Sequence, residues 1–233
     1  MSRKHFIMIM VLFILTAGLL SFLLSPFFTV RDFNVIGLNN LTVTELKPAV
    51  DTYLDRNIWV LSLSRLENRL ENVNFVKNSS VERRYPASLQ IHIEERLPRA
   101  VIRNHDHYLL LCEEGYILDE ISGTRPDDVP LLRGFEFLFS GDKLIFNSEL
   151  RLIMDGLSSL NYDTGSRINS IEYDSGRVNL FLEPDVPVYM GAFNEIEQKF
   201  LLFDSAVQKI ENEGLAVDYI DLSAVNRPVI KNK

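Results

Sequence analysis

Between Phe6 and Leu24 the chain carries no charged side chain, and only Thr16, Gly18 and Ser21 interrupt an otherwise apolar run. A helix rises about 1.5 Å per residue, so this stretch reaches about 28 Å, close to the roughly 30 Å hydrocarbon core of a bilayer. A cleaved secretory signal competes with this reading. Its apolar part is usually about 7 to 15 residues long and ends in a small-x-small cleavage site. Ser21-Phe22-Leu23-Leu24-Ser25-Pro26 offers no such site. The run therefore reads as a retained transmembrane helix, residues 6–24, behind a short cytoplasmic tail, residues 1–5. Arg3 and Lys4 are the only charges ahead of Arg31. The positive-inside rule keeps the N-terminus cytoplasmic and sends the bulk of the chain across the membrane.

Beyond the span the chain is acidic. With Arg3 and Lys4 set aside, 22 basic residues face 32 acidic ones, a balance of −10. That sign argues against nucleic acid and against an anionic lipid surface as partners. Cys112 is the only cysteine, so no intramolecular disulfide can staple the exported part, and buried apolar cores must hold it.

After Ser25-Pro26, residues 28–35 alternate apolar and polar like a half-buried strand, and Gly37, Asn39 and Asn40 end it. Thr42-Val43-Thr44-Glu45 has the spacing of a capping box, with Leu46, Ala49, Val50, Tyr53 and Leu54 on one helical face and Pro48 as a source of a kink. A second box, Ser64-Arg65-Leu66-Glu67, opens a helix with Leu66, Leu70 and Val73 as its apolar positions. Residues 76–85 and 89–95 read as two strands joined at Pro86-Ala87, with Leu89, Ile91 and Ile93 on one face. The order strand-helix-helix-strand-strand fits a small sheet with both helices on one side. Beyond Leu97-Pro98 come short strands at 100–103, 108–112, 116–119, 168–173, 177–182 and 186–190, with a hairpin turn at Asp174-Ser175-Gly176. Helices are expected at 148–160 and at 194–211; the second is capped by Asn194, favoured by Glu195, Glu197 and Lys209 at its ends and stopped by Gly214. A last strand pair spans 218–222 and 227–231.

Several stretches carry a family resemblance: Phe33-Asn34-Val35-Ile36-Gly37-Leu38-Asn39, Phe75-Val76-Lys77-Asn78-Ser79-Ser80-Val81-Glu82-Arg83-Arg84-Tyr85-Pro86 and Leu89-Gln90-Ile91-His92-Ile93-Glu94-Glu95-Arg96-Leu97-Pro98. They resemble the POTRA-type module of the bacterial cell-division family FtsQ, called DivIB in some lineages. The resemblance continues more thinly through Gly115-Tyr116-Ile117-Leu118, Pro130-Leu131-Leu132-Arg133-Gly134, Val188-Tyr189-Met190-Gly191 and Tyr219-Ile220-Asp221-Leu222. The chain departs from the family at Ser223-Ala224, where Arg and an aromatic residue are common. The fold class expected is α+β: one transmembrane helix, a POTRA-type β-α-α-β-β module over residues 29–97, and a mixed, curved β domain with two helices over residues 99–233. The resemblance implies a non-enzymatic scaffold of the division machinery at the septum of the cell inner membrane. It would recruit FtsB and FtsL and so influence septal peptidoglycan synthesis. It implies no cofactor, no metal and no small-molecule substrate. The alternative is a transport or outer-membrane assembly factor whose POTRA-type module binds polypeptide by strand addition; one module, with no room for a barrel, counts against it.

Side chains with chemical potential have plainer readings. Asn104-His105-Asp106-His107 is built of turn formers, which outweighs the metal-site reading of His105, His107 and Cys112. Glu94 and Glu95 point to opposite faces of a strand and are expected to pair with Arg83 and Arg84 across the sheet rather than act as a catalytic pair. Trp59 is expected to pack beneath the connection between the two helices. Arg31 stands either in solvent or at lipid headgroups. The partner site is expected at the terminal edge, Val225, Asn226, Arg227, Pro228, Val229 and Ile230. A proline there is tolerated mainly on an edge strand, which can accept a strand from another chain or be shielded from pairing by that proline and by charge. The resemblance, in whose family the FtsB surface lies on the terminal strand of this domain, implies binding.

If the apolar run is retained, N-terminal sequencing of membrane-extracted protein starts ahead of residue 6. A mature chain starting near Ser25 would overturn the anchor.

Overall fold

The computed structural model describes residues 3–184 and 186–233, so Met1 and Ser2 of the expected cytoplasmic tail lie outside the described residues. Helix α1 (Arg3–Leu23) takes in Arg3, Lys4 and His5 as well as the apolar run. None of its residues is buried, and its mean hydropathy reaches 2.7, long and apolar enough to cross a membrane. The chain divides into two compact units that meet at Arg96 and Leu97.

In the first unit a short 3-10 turn (Pro26–Phe28) leads into β1 (Asp32–Ile36), α2 (Val43–Val50), α3 (Leu63–Glu71), β2 (Val76–Arg84) and β3 (Ser88–Glu95). This is the expected order. β3 lies in the centre, parallel to β1 and antiparallel to β2. The period-2 pattern puts Leu89, Ile91 and Ile93 on the buried face, where they meet Leu46, Val50, Leu66 and Leu70 from the helices. Each such side chain removed from water contributes roughly 1.5–3 kcal/mol. The Thr42–Glu45 capping box forms in both directions. Pro48 lies inside α2, which gives way after Val50 to a 3-10 turn, Asp51–Tyr53.

Three local expectations are corrected. α3 starts at Leu63 behind Ser62, so Ser64 caps nothing, and Glu67 instead accepts the Val81 N–H at 2.9 Å. Arg83 and Arg84 do not pair with Glu94 and Glu95: Arg83 donates to the carbonyls of Ile58 and Leu61, and Arg84 reaches Gln90 and Glu82. Glu94 sits beside Lys77 and accepts from Asn78. Glu95, 8% exposed, turns to the loop after β1, where it accepts the backbone N–H groups of Asn39, Asn40 and Leu41 at 2.8, 2.7 and 3.0 Å. Finally, Trp59 is not covered. It is 45% exposed, stacked on Tyr85 at 4.6 Å and edge-on to Phe28 at 5.9 Å.

The second unit is one nine-stranded sheet with helices. It contains β4 (Pro98–Asn104), β5 (His107–Cys112), β6 (Ile117–Ser122), β7 (Leu131–Arg133), the side hairpin β8 (Leu138–Ser140) and β9 (Lys143–Ile145), then α4 (Ser148–Ser159) and α5 (Tyr162–Ser166). β10 (Ile168–Asp174), β11 (Arg177–Leu182), β12 (Val186–Gly191), α6 (Ile196–Glu213), β13 (Val217–Asp221) and β14 (Val229–Asn232) follow. The sheet order is β14-β13-β12-β11-β10-β7-β4-β5-β6. The short strand β7 pairs in parallel with β4 and with β10, welding two antiparallel blocks into one sheet. It ends at Gly134, whose φ of +78° and close approach to the Tyr173 carbonyl leave no room for a Cβ. α4 and α6 pack together where Gly156 meets the Phe200 ring, and both lie on the sheet's main apolar core. The fold is α+β as expected, with α5 as a third helix.

Burial opposes charge on Glu95, but its hydrogen bonds to Asn40, Asn39 and Leu41 outweigh burial and hold its carboxyl below the usual range. A depressed folded-state value means this stabilisation is present above the ordinary carboxylate range and is lost as pH falls through the folded value. Glu95→Gln is expected to cost the first unit about 1–3 kcal/mol at neutral pH and to flatten its loss of stability in acid. Trp59, the only tryptophan, reports this unit's unfolding in urea. Parent and variant curves with the same pH dependence would refute the role.

Candidate functional site

Helix α6 carries the chain from β12 back to β13, so the two strands run parallel and the terminal hairpin lies outside them. The helix starts at Ile196 behind Glu195, which holds a left-handed conformation, and it ends at Gly214, whose N–H returns to Glu211 and Ile210. Asn194 is thus not the cap. Its Oδ1 lies 3.5 Å from the Lys199 ammonium, which donates to the Ala192 carbonyl at 2.7 Å. Lys199 is fully buried. Burial pushes its ammonium below the usual lysine range, against the pull of Glu195.

β14 pairs only with β13, through Asp221↔Val229, Ile220↔Ile230 and Tyr219↔Lys231. As the last strand in the order, it has no strand neighbour on its other side among the described residues. The expected site residues divide here. Val229 and Ile230 lie on β14, whereas Val225, Asn226, Arg227 and Pro228 form the turn before it, with the Arg227 N–H bound to the Ala224 carbonyl at 3.0 Å. The expected strand start at residue 227 is corrected to Val229. Pro228 therefore precedes the strand instead of interrupting it, which suits a residue with no N–H to donate.

The two faces at this rim differ. On one face Tyr189, Asp221 and Val229 follow one another across β12, β13 and β14, and Tyr219 lies beside Tyr189 with ring centroids 6.0 Å apart. Tyr189 is 42% and Val229 45% exposed. On the other face a groove of about 390 Å³ lies between α6 and the hairpin, lined by Leu202, Ala206 and Lys209 on one side and Leu222, Pro228 and Ile230 on the other. A strand laid against β14 would send alternate side chains to the tyrosines and into the groove. Sequence reading missed the tyrosine pair and the helix side of the groove. Alternation places Tyr189 opposite Val188 and Met190, but its meeting with Tyr219 needs the parallel pairing that α6 creates.

Other candidates take structural roles. The Asn104–His107 segment is the expected tight turn, with His105 against Asn104 and His107 against Ser122. Burial, with Glu114 close by, pushes the Cys112 thiol up to about 11, which keeps it protonated at neutral pH.

Two family models cover most of the chain: the POTRA domain, FtsQ-type, over residues 28–96, and the cell division protein FtsQ/DivIB, C-terminal, over residues 100–223. The chain belongs to the FtsQ/DivIB family. Cell division protein FtsQ of Syntrophotalea carbinolica is 25% identical over 89% of this chain and 75% of its own length. DivIB of Solibacillus silvestris is 25% identical over 70% of this chain and 55% of its own length. FtsQ of Novosphingobium aromaticivorans is 30% identical over 46% of this chain and 33% of its own length. The chain thus spans three quarters of one FtsQ/DivIB relative and about half or less of the others. The major extracytoplasmic domain of DivIB from Geobacillus stearothermophilus matches 50% of this chain at 19% identity and a TM-score of 0.37, too low to carry an argument.

Gly191 closes β12 with a φ of +69°, and a Cβ there would stand 3.0 Å from that of Ser223 at the base of the terminal hairpin. Gly191→Ala is expected to destabilise the FtsQ/DivIB C-terminal domain by about 1–2 kcal/mol, measured by urea unfolding followed by circular dichroism. Unchanged stability would show that this left-handed turn does not fix the hairpin.

Proposed function

We propose that this FtsQ/DivIB chain is a non-enzymatic bitopic scaffold of the division machinery. It lies in the cell inner membrane at the septum, N-terminus cytoplasmic and both domains periplasmic, and recruits FtsB and FtsL, thereby influencing septal peptidoglycan synthesis. The observation that supports this reading best is the open rim at β14, which offers main-chain groups flanked by a tyrosine face and an apolar groove. Strand addition draws affinity from the backbone and selectivity from alternate side-chain pockets, and this rim has both. Local charge adds a preference. From residue 97 onward 13 basic residues face 23 acidic ones, yet Lys209, Arg227, Lys231 and Lys233 gather at the groove and the terminal hairpin. An acidic or amphipathic partner segment suits that rim.

The alternative, polypeptide capture by the POTRA-type module in transport or outer-membrane assembly, finds less support. β2 and β1 are the two rims of that sheet; at β2 the Ser79 and Val81 N–H groups already donate to the Glu71 and Glu67 carboxylates at 3.1 and 2.9 Å. A strand arriving at β2 would have to displace both.

With purified FtsB, alone and with FtsL, Arg227→Glu is expected to weaken binding by about 2–5 kcal/mol where the contact is partly desolvated. Its melting temperature should stay unchanged, because the side chain is exposed. Backbone amides of Val229–Asn232 should exchange more slowly in the complex. Full affinity in the variant together with unslowed exchange would move the partner surface elsewhere.

A further inference from the structure

The apolar helix and the first domain meet at one fixed place. The Asn57 side-chain amide donates to the carbonyl of Leu23, the last residue of α1, at 2.8 Å. The chain leaving the helix is then tied to the connection between α2 and α3: Val30 N–H donates to the Arg56 carbonyl, Asp55 N–H to Val30, and Ile58 N–H to Phe28. A row of rings continues the attachment from Phe22 through Phe28 and Trp59 to Tyr85, with centroid separations of 5.3, 5.9 and 4.6 Å. These rings are not a closed core. Phe27 is 54%, Trp59 45%, Val60 72% and Tyr85 53% exposed. Exposed aromatic and apolar side chains at the end of a spanning helix stand at the depth of the headgroups, where tryptophan and tyrosine are favoured.

Beside them a cleft of about 590 Å³ is lined by Arg56, Arg65 and Arg69 together with Thr52, Asn57 and Val60. All three arginines are exposed. Among the described residues none of them has a carboxylate partner; Arg69 donates to the Thr52 hydroxyl at 2.8 Å, and Asp51 and Asp55, on the same connection, do not line the cleft. The acidic balance of the exported part does not reach this place. Residues 25–96 hold nine basic and nine acidic side chains, so the whole surplus of ten acidic residues belongs to residues 97–233. Guanidinium groups without a carboxylate partner at headgroup depth match phosphate oxygens in charge and in fork geometry.

We infer that this face of the first domain rests on the outer leaflet, with Trp59 and Val60 seated in the interface and the Arg56–Arg65–Arg69 cleft holding the phosphate of an anionic phospholipid. The inference rests on the reading that α1 spans the membrane with residue 25 onward outside. The global charge argument against a lipid surface fails here because charge acts within about 8 Å in physiological salt, and this cleft is locally basic. Docking would limit the swing of the domain about the end of its helix without any further protein contact.

The test uses the full chain reconstituted in mixed vesicles of phosphatidylcholine and phosphatidylglycerol, with one lipid or the other carrying brominated chains. Trp59, the only tryptophan, is the probe. Brominated lipid is expected to quench it, and brominated phosphatidylglycerol more than random mixing allows. Removing one arginine should lower that preference about fivefold, equivalent to about 1 kcal/mol for each basic residue at a charged surface. Arg56→Gln/Arg65→Gln/Arg69→Gln should abolish it, and Val60→Asp should reduce quenching by both lipids. Should the triple variant fail to fold by circular dichroism, Arg65→Gln alone must show the fivefold loss. Equal quenching by the two lipids in the parent, or an unchanged preference in the variants, overturns the inference. Loss of the preference when inorganic phosphate is added to the mixed vesicles at constant ionic strength would assign the cleft to a free phosphate and overturn the lipid as occupant. Alkaline extraction keeps the two readings apart. Release of the chain from vesicles refutes the spanning helix, whereas a retained chain with no lipid preference refutes only the docked cleft.

Discussion

A strand at the rim of a sheet has one row of N–H and C=O groups with no strand to pair, and exposed rims invite unwanted partners. Three of the rims in this chain, β2, β6 and β14, are treated differently. In the first sheet, β2 lies beside α3, and two glutamates one turn apart on that helix, Glu67 and Glu71, accept the N–H groups of Val81 and Ser79. The helix thereby replaces a strand as hydrogen-bond partner. In the second sheet, β6 presents Asp119 and Glu120, and its entry is covered by the Tyr116↔Lys143 bridge and by the Ile117 N–H bond to the Asp142 carbonyl. Charge and a short hairpin blunt that rim. Among the described residues β14 has no covering hairpin or helix carboxylate; its charge is Lys231, and its neighbours supply a groove and two tyrosines.

Glu95 shows how much one side chain can organise. Its carboxylate collects three consecutive backbone N–H groups from the loop between β1 and α2. That loop would otherwise have to satisfy those donors with water while Leu41 next to it is buried. The anion is stable there because the donors outweigh the burial. The same chemistry, carboxylate to main-chain N–H, recurs at Glu45, Glu67 and Glu71. Four of the nine acidic residues between 25 and 96 therefore serve as acceptors for main-chain N–H groups.

Much of this was legible in the sequence wherever a local rule decides the outcome. The uncharged run 6–24, the Thr42–Glu45 box, the alternation at Leu89, Ile91 and Ile93 and the Ser175-Gly176 turn each depend on residues within one element, and each is present. What escaped depends on partners remote in the chain. β7 has only three residues, two of them buried, with no alternation to read, yet it joins the halves of the second sheet. Ser64 and Glu67 match a capping box, but Glu67 is drawn to β2, and the helix start moves to Ser62. Arg83 and Arg84 stand near acidic residues in sequence but find the carbonyls of Ile58 and Leu61 and the side chains of Gln90 and Glu82. At the terminal rim, the sequence indicated a last strand pair, while the division between turn and strand, and the faces on either side, come from packing on α6.

The split of the terminal segment has a mechanical consequence for recognition. Val225 to Pro228 form a turn whose shape is set from within, by the Arg227 N–H to Ala224 bond and by Asp221, which accepts from both the backbone and the hydroxyl of Ser223. Arg227 is therefore presented from a fixed turn and not from the strand itself. Val229 and Ile230, by contrast, carry the strand geometry and face opposite sides of the sheet, one toward the tyrosines and one toward the groove. Under the proposed strand addition, backbone pairing at β14 and charge recognition at Arg227 would be separate contacts on adjoining residues. A partner extending the sheet would then have to run past the turn to reach the guanidinium, and that would set the register of the added strand. Register is otherwise weakly specified at a rim, since a slip of one residue exchanges the two faces. A charged turn at one end and two unlike faces along the strand remove that ambiguity.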